Sequence, residues 1–201
     1  MKKLRQAIII TLFLNVKMKI NSFIQRIEPV SVWDDIVLGQ VQKNTLEEIA
    51  SLVKKGSKEN EKSKIAKKKE KGSGIIALFT GSNEKVKTIA AEVLAKEIQL
   101  GLYRIDLSKV VSKYIGETEK NLQTVFDAAD ITEAILLFDE ADALFGKRSE
   151  VKDSHDRYSN IEVNYLLQQL ERYRGLAILN SKRKIDLDEA FMRRMRFVIH
   201  F

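Results

Sequence analysis

Five short runs, Ile75–Thr80, Leu102–Leu107, Ala134–Asp139, Leu176–Leu179 and Phe197–Phe201, are mostly apolar, and segments of different periodicity separate them. A strand with one wet face alternates apolar and polar residues, whereas a strand buried on both faces does not. Runs of this kind signal a parallel sheet with helices on each side. Thr88–Ile98, with Ile89, Val93, Leu94 and Ile98 at helical spacing, supplies one helix. Gly116–Asp130, Asn160–Tyr173 and the short Asp188–Arg194 supply others. The expected fold class is α/β, a parallel sheet between two helical layers.

With 201 residues the chain has room for one full domain and an appendage. Its 35 Lys and Arg outnumber 28 Asp and Glu, and the net charge of +7 invites an anionic partner. The surplus is unevenly placed, because residues 1–19 carry +5 and 54–72 carry +6, whereas 73–201 carry −1. A specific nucleic-acid site on the folded region is thereby disfavoured, and the lysines at 67–71 have no interleaved aromatics on which bases could stack. The absence of cysteine excludes a disulfide framework, a thiolate nucleophile and cysteine-ligated metal, and it favours a reducing, cytoplasmic location.

Four regions follow from these patterns. Residues 1–32 form a basic and apolar N-terminal segment whose apolar run, Ala7–Val16, falls short of the roughly 18 residues needed to span a bilayer. Lys17 and Lys19 follow at once, without a small-residue cleavage site, so membrane contact through residues 1–20 is the weaker expectation. Residues 33–55 precede the core and contain a short helix, Thr45–Lys55, with Thr45 as N-cap and Glu48 in capping-box position. Residues 56–73 are a lysine-rich linker with little to bury, and 73–201 are the core. His155 and His200 have no metal-ligand partner at helical spacing.

The chemistry concentrates at Ile135–Asp142, ILLFDEAD. A buried strand ending in adjacent acids presents two carboxylates at the carboxyl edge of a parallel sheet, where open α/β folds bind ligands. Asp139 could hold Mg²⁺ and Glu140 could polarise a water. The same residues could equally be the acidic first turn of the next helix, favoured by its dipole.

The segments VSKYIGETEKN, Val111–Asn121, and Phe138–Glu171, which opens FDEADALFGKRSE, closely resemble the AAA family of ATPases. LDEAFMRRMRF, Leu187–Phe197, does so too, and WDDIVL, Trp33–Leu38, more faintly. The resemblance runs in family order over roughly residues 73–201 and is nearest to bacterial members encoded beside contractile, phage-tail-like machines.

That resemblance implies a five-stranded sheet of order 5-1-4-3-2, ATP and Mg²⁺ as cofactors, and a ring oligomer, such as a hexamer, acting on a protein substrate. It implies ATP hydrolysis coupled to remodelling of protein assemblies. Asp139 and Glu140 match the Walker B pair, with Glu140 catalytic. Gly81, Lys87 and Thr88 match the phosphate loop, with Thr88 and Asp139 on Mg²⁺. Asn180 stands near the place of a nucleotide-contacting Asn. Tyr114 and Ile115 match the loop that grips polypeptide, and Arg193 and Arg196 match the arginine fingers that reach a neighbour's nucleotide.

The chain also departs from the family. The phosphate loop, G-x-x-x-x-G-K-[ST] in pattern, here reads GSNEKVKT, with Val86 and Glu84 where glycines are usual. A β-branched residue forced to positive φ would cost about 1–3 kcal/mol, and Glu84 brings negative charge towards polyphosphate. Counting back from Leu187 puts Lys182 where the water-orienting Asn is usual, and the sequence stops at Phe201, before the family's helical lid. The alternative expectation is a truncated pseudo-ATPase that serves as a protein-interaction module with weak or no turnover.

Overall fold

A computed structural model describes residues 23–65, 74–112, 114–132, 134–145, 154–182 and 192–201. The N-terminal apolar run, residues 146–153 and most of the helix expected over 188–194 lie outside them.

Six strands form one sheet: β1 Ile24–Ile27, β2 Ile75–Thr80, β3 Leu102–Asp106, β4 Ile135–Asp139, β5 Leu176–Ser181 and β6 Phe197–His200. Their order is β1-β3-β4-β5-β2-β6. Five of them pair in parallel and reproduce the expected 5-1-4-3-2 arrangement. The sixth, β1, adds an antiparallel edge with Ile24 opposite Ile105 and Ile27 opposite Leu102. It lies in the region expected to be an N-terminal segment, and it covers the ladder groups that β3 would otherwise leave open.

The wholly apolar strands are explained by what covers each face. Leu78, Leu136, Phe138 and Leu179 pack with Leu122, Phe126, Leu166 and Leu170 on one side. Alternate residues of the same strands, Ala77, Phe79, Leu137 and Ile178, pack with Leu46, Ile49, Leu94 and Ile98 on the other. The first helical layer comprises α4 Glu117–Thr132 and α6 Ser154–Arg172, and the second comprises α1 Gln40–Ile65 and α2 Glu84–Ile98. Two short helices, α3 Leu107–Val110 and α5 Asp142–Phe145, follow β3 and β4 directly.

Boundaries differ from expectation at three helices. α1 begins at Gln40, so Thr45, expected as an N-cap, lies inside the helix and donates its hydroxyl to Val41 O at 2.8 Å. α6 begins at Ser154, ahead of the expected Asn160. α1 runs to Ile65, so ten residues assigned to the linker continue the helix begun beside the core. α2 begins at Glu84, about one turn before the expected Thr88, with Asn83 as its N-cap.

Candidate nucleotide site

The turn after β2 is set by Gly81, whose φ is +124°. A Cβ there would fall 2.0 Å from the carbonyl oxygen of Phe201, so the chain leaves the sheet hard against the end of β6. Phe201 N donates to Thr80 O at 2.8 Å, and the Phe201 ring meets Phe79 edge-on. His200 Nδ1 and Thr80 Oγ1 lie 3.0 Å apart.

Beyond this turn the backbone winds directly into α2. Val86 N donates to Asn83 Oδ1 at 3.2 Å, and Lys87 N donates to Asn83 O at 3.3 Å. Val86 is not at positive φ; among the described non-glycine residues only Gln99 and Glu140 are. The strain expected at Val86 is therefore absent. Amides that could cradle a phosphate are engaged in helix and cap instead.

Lys87 is fully buried, and its ammonium donates to Gly81 O at 2.6 Å and Ser181 O at 2.7 Å. Burial pushes its pKa below the ordinary lysine value, against the upward pull of Glu84, Asp139 and Asp142. Thr88 follows, half-buried.

At the neighbouring strand end Asp139 is 2% exposed. Its Oδ1 accepts from Asn180 Nδ2 at 2.8 Å and from Glu140 N at 3.0 Å, and its Oδ2 accepts both Nε, at 2.7 Å, and Nη2 of Arg104. Glu140 sits at φ 55°, and its side chain receives Lys182 Nζ at 2.6 Å. The same ammonium lies 3.3 Å from Glu84 Oε1. Asp142 fixes the base of Lys182, accepting its backbone N–H at 2.8 Å and the Ser181 hydroxyl at 2.8 Å.

The structure thus gathers Gly81, Lys87, Thr88, Asp139, Glu140 and Asn180 at one carboxyl edge. The other expected residues stand on other segments. Tyr114 and Ile115 are 62% and 79% exposed on the loop between α3 and α4, where Glu117 N bonds Tyr114 O. Arg193 and Arg196 are exposed, and Arg196 N donates to Ile76 O at the amino end of β2. At about 3.3 Å per residue that point lies ~13 Å from Thr80, where the phosphate turn begins. Arg104, Asp142 and the ion pairs of Lys182 are the participants that sequence reasoning missed.

A fit to Mg²⁺-ATP can be judged from these contacts. Both hydrogen bonds of the Lys87 ammonium go to carbonyl oxygens rather than a carboxylate, and Asn180 Oδ1 is buried without a hydrogen-bond partner. A buried ammonium whose hydrogen bonds among the described residues go to neutral oxygens suits a polyphosphate. Among the described residues no group of three or more His, Cys, Asp or Glu could hold a metal. Thr88 and Asp139 fit Mg²⁺ chemically once the turn opens.

A profile of the ATPase family associated with various cellular activities (AAA) matches residues 77–201, more than half of the chain. The chain belongs to this AAA family. It is 32% identical over 181 residues to the uncharacterized AAA family ATPase y4kL of Sinorhizobium fredii, covering 89% of this chain and 52% of that protein. It is 31% identical over 175 residues to the peroxisomal ATPase PEX6 of Kluyveromyces lactis, covering 84% of this chain and 17% of PEX6. The chain therefore spans about half of the first relative and a smaller part of the second. In fold it resembles the FIGL-1 AAA domain, with a TM-score of 0.64 and 23% identity, covering 93% of this chain and 60% of that one. AAA membership carries nucleotide binding as the general role. No helix among the described residues is long and apolar enough to cross a membrane.

Proposed function

We propose that this chain is the nucleotide-binding module of a AAA-type ATPase that remodels protein assemblies, described here in a closed resting state. The observation that carries the reading is the meeting of Lys87, Asp139 and Glu140 at one sheet edge, with Arg193 and Arg196 at the opposite end of β2. In this reading Gly81, Lys87 and Thr88 hold the phosphates, Thr88 and Asp139 hold Mg²⁺, and Glu140 orients and deprotonates the attacking water. Bound Mg²⁺ would supply charge neutralisation on the phosphate oxygens. Arg193 and Arg196 serve a neighbouring protomer of a cytoplasmic ring, and Tyr114 and Ile115 contact the protein substrate. The sequence likeness to members beside contractile, phage-tail-like machines suggests an assembly of that kind as substrate. Mg²⁺-dependent ATP hydrolysis that rises with protein concentration and is lost in Glu140→Gln is the expected result. Wild-type turnover equal to that of the variant at every concentration would sink the hydrolytic reading.

The closed phosphate turn favours a second reading, a AAA-derived interaction module with weak or no turnover. Calorimetry with ATP separates the two, since sub-millimolar binding contradicts the strong form of the second.

A further inference from the structure

Glu84 and Lys182 are 98 positions apart in sequence, yet their side chains meet across the mouth of the site. Glu84 stands in the first turn of α2, and Lys182 stands just past the end of β5. The Lys182 ammonium touches both Glu84 and Glu140, so one cation joins the phosphate turn to the carboxylate at the strand edge. Asp142 anchors the backbone of Lys182 and thereby aims the side chain.

We propose that Lys182 is a latch: its bridge from Glu140 to Glu84 holds the phosphate turn wound as helix, and Glu84 occupies, as an internal anion, the cation that a nucleotide's terminal phosphate would otherwise take. Four features of the site support this. The two side chains contribute charges of opposite sign, so the pair adds no net charge to a site already holding Lys87, Arg104, Asp139 and Asp142. The bridged carboxylate sits at a helix N-terminus, where an anion is favoured and where a phosphate would be favoured for the same reason. Glu140 and Glu84 also hold the Lys182 proton more tightly than usual, so the ammonium stays charged. Both termini of the bridge are partly exposed, with side chains 49% and 34% accessible, so the contact can open without unfolding the core.

The inference rests on reading this edge as a nucleotide site, and its test separates the two ideas. Hydrogen exchange at the Val86 and Lys87 amides is measured in the free full chain for wild type, Glu84→Gln, Lys182→Gln and the double variant. Binding of inorganic tripolyphosphate and of a fluorescent ATP analogue is measured on the same four proteins. Each single change is expected to speed exchange of those amides about tenfold, and the double variant no further, because all three break one bridge. Glu84→Gln alone is expected to tighten tripolyphosphate and ATP binding about tenfold, because it removes the anion from the turn and keeps the charge of Lys182, which then has Glu140 alone as its carboxylate partner. Lys182→Gln leaves the α2 dipole untouched, so its matching effect on exchange distinguishes the latch from a simple helix-terminus effect. Unchanged exchange in either single variant, or additive effects in the double, would overturn the latch. Unchanged affinity of a binding-competent wild type on Glu84→Gln would overturn it too. Faster exchange in all variants with no binding of either probe would uphold the latch and overturn the nucleotide reading beneath it.

Discussion

Gly81 and Lys87 show how the site depends on single residues. A side chain at Gly81 meets a backbone oxygen of Phe201 at 2.0 Å and must adopt φ near +124°, so neither relaxation is cheap. Gly81→Ala is expected to lower stability by at least ~2 kcal/mol, from positive-φ strain plus displacement of β6. Urea unfolding measures it, and a loss below about 0.5 kcal/mol would show that the turn relaxes freely. Lys87 makes a prediction with a sign. Its folded-state pKa lies below the ordinary 10.5 because burial disfavours the ammonium, so the unfolded chain holds the proton more tightly. Stability contributed by this residue therefore rises with pH between its folded pKa and 10.5, and is lowest, and flat, below that window. The difference in unfolding free energy between wild type and Lys87→Met should climb as pH rises towards the ordinary lysine value of 10.5 and level off above it. Parallel curves for the two proteins would contradict the burial of a charged lysine.

Elements differ in how plainly the sequence announces them. β2 and β4 were legible because both their faces are buried, Ile76 and Leu78 on one side and Ala77 and Phe79 on the other. β1 was not, since IQRI is half-exposed and its reason for being extended is a partner nearly eighty residues away. The linker end of α1 was hidden for another reason: residues 56–65 carry little apolar surface, and the helix there extends one already anchored by Leu46, Ile49 and Val53. Asp139 and Glu140 stood out in the sequence as acids at the end of an apolar strand, and Lys87 through the likeness of GSNEKVKT to a phosphate loop. The partners of Lys182 and Asp139 could not be read there, because ion pairs between distant segments follow from the packed sheet. The early start of α2 was missed because a loop was expected where Asn83 in fact caps a helix. Asn83→Ala removes the acceptor for Val86 N and should cost about 1 kcal/mol, with faster amide exchange over Glu84–Lys87. An unchanged unfolding midpoint and exchange pattern would show that the first turn of α2 is held by the Lys182 bridge alone.

At the scale of the whole molecule, the sheet separates the two groups of residues that the proposed hydrolysis needs. The phosphate turn and the acid pair lie at the carboxyl edge, while Arg196, with Arg193 just before it in the chain, lies beside the amino end of β2, ~13 Å along the strand. An arginine side chain cannot cover that distance, turn the edge and still reach its own site. If these arginines act on nucleotide, they act on a neighbour's. Two kinds of inactive protomer should then rescue each other. A Glu140→Gln protomer has no base of its own but presents intact arginines. A protomer with Arg193→Ala and Arg196→Ala keeps its base but has nothing to donate. Each alone should lose about 10³-fold or more of hydrolysis, the scale of a missing trans arginine. Mixed in equal amounts, every interface that sets the arginines of the first against the base of the second is complete. Activity should reappear at a substantial fraction of wild type, rising with total protein concentration as protomers associate. Recovery in the mixture cannot come from arginines acting within their own chain, because no protomer in it carries both parts. A mixture as inactive as its components, under conditions where wild type turns over and associates, would overturn donation of the arginines to a neighbour, and an arginine variant as active as wild type would remove them from the reaction.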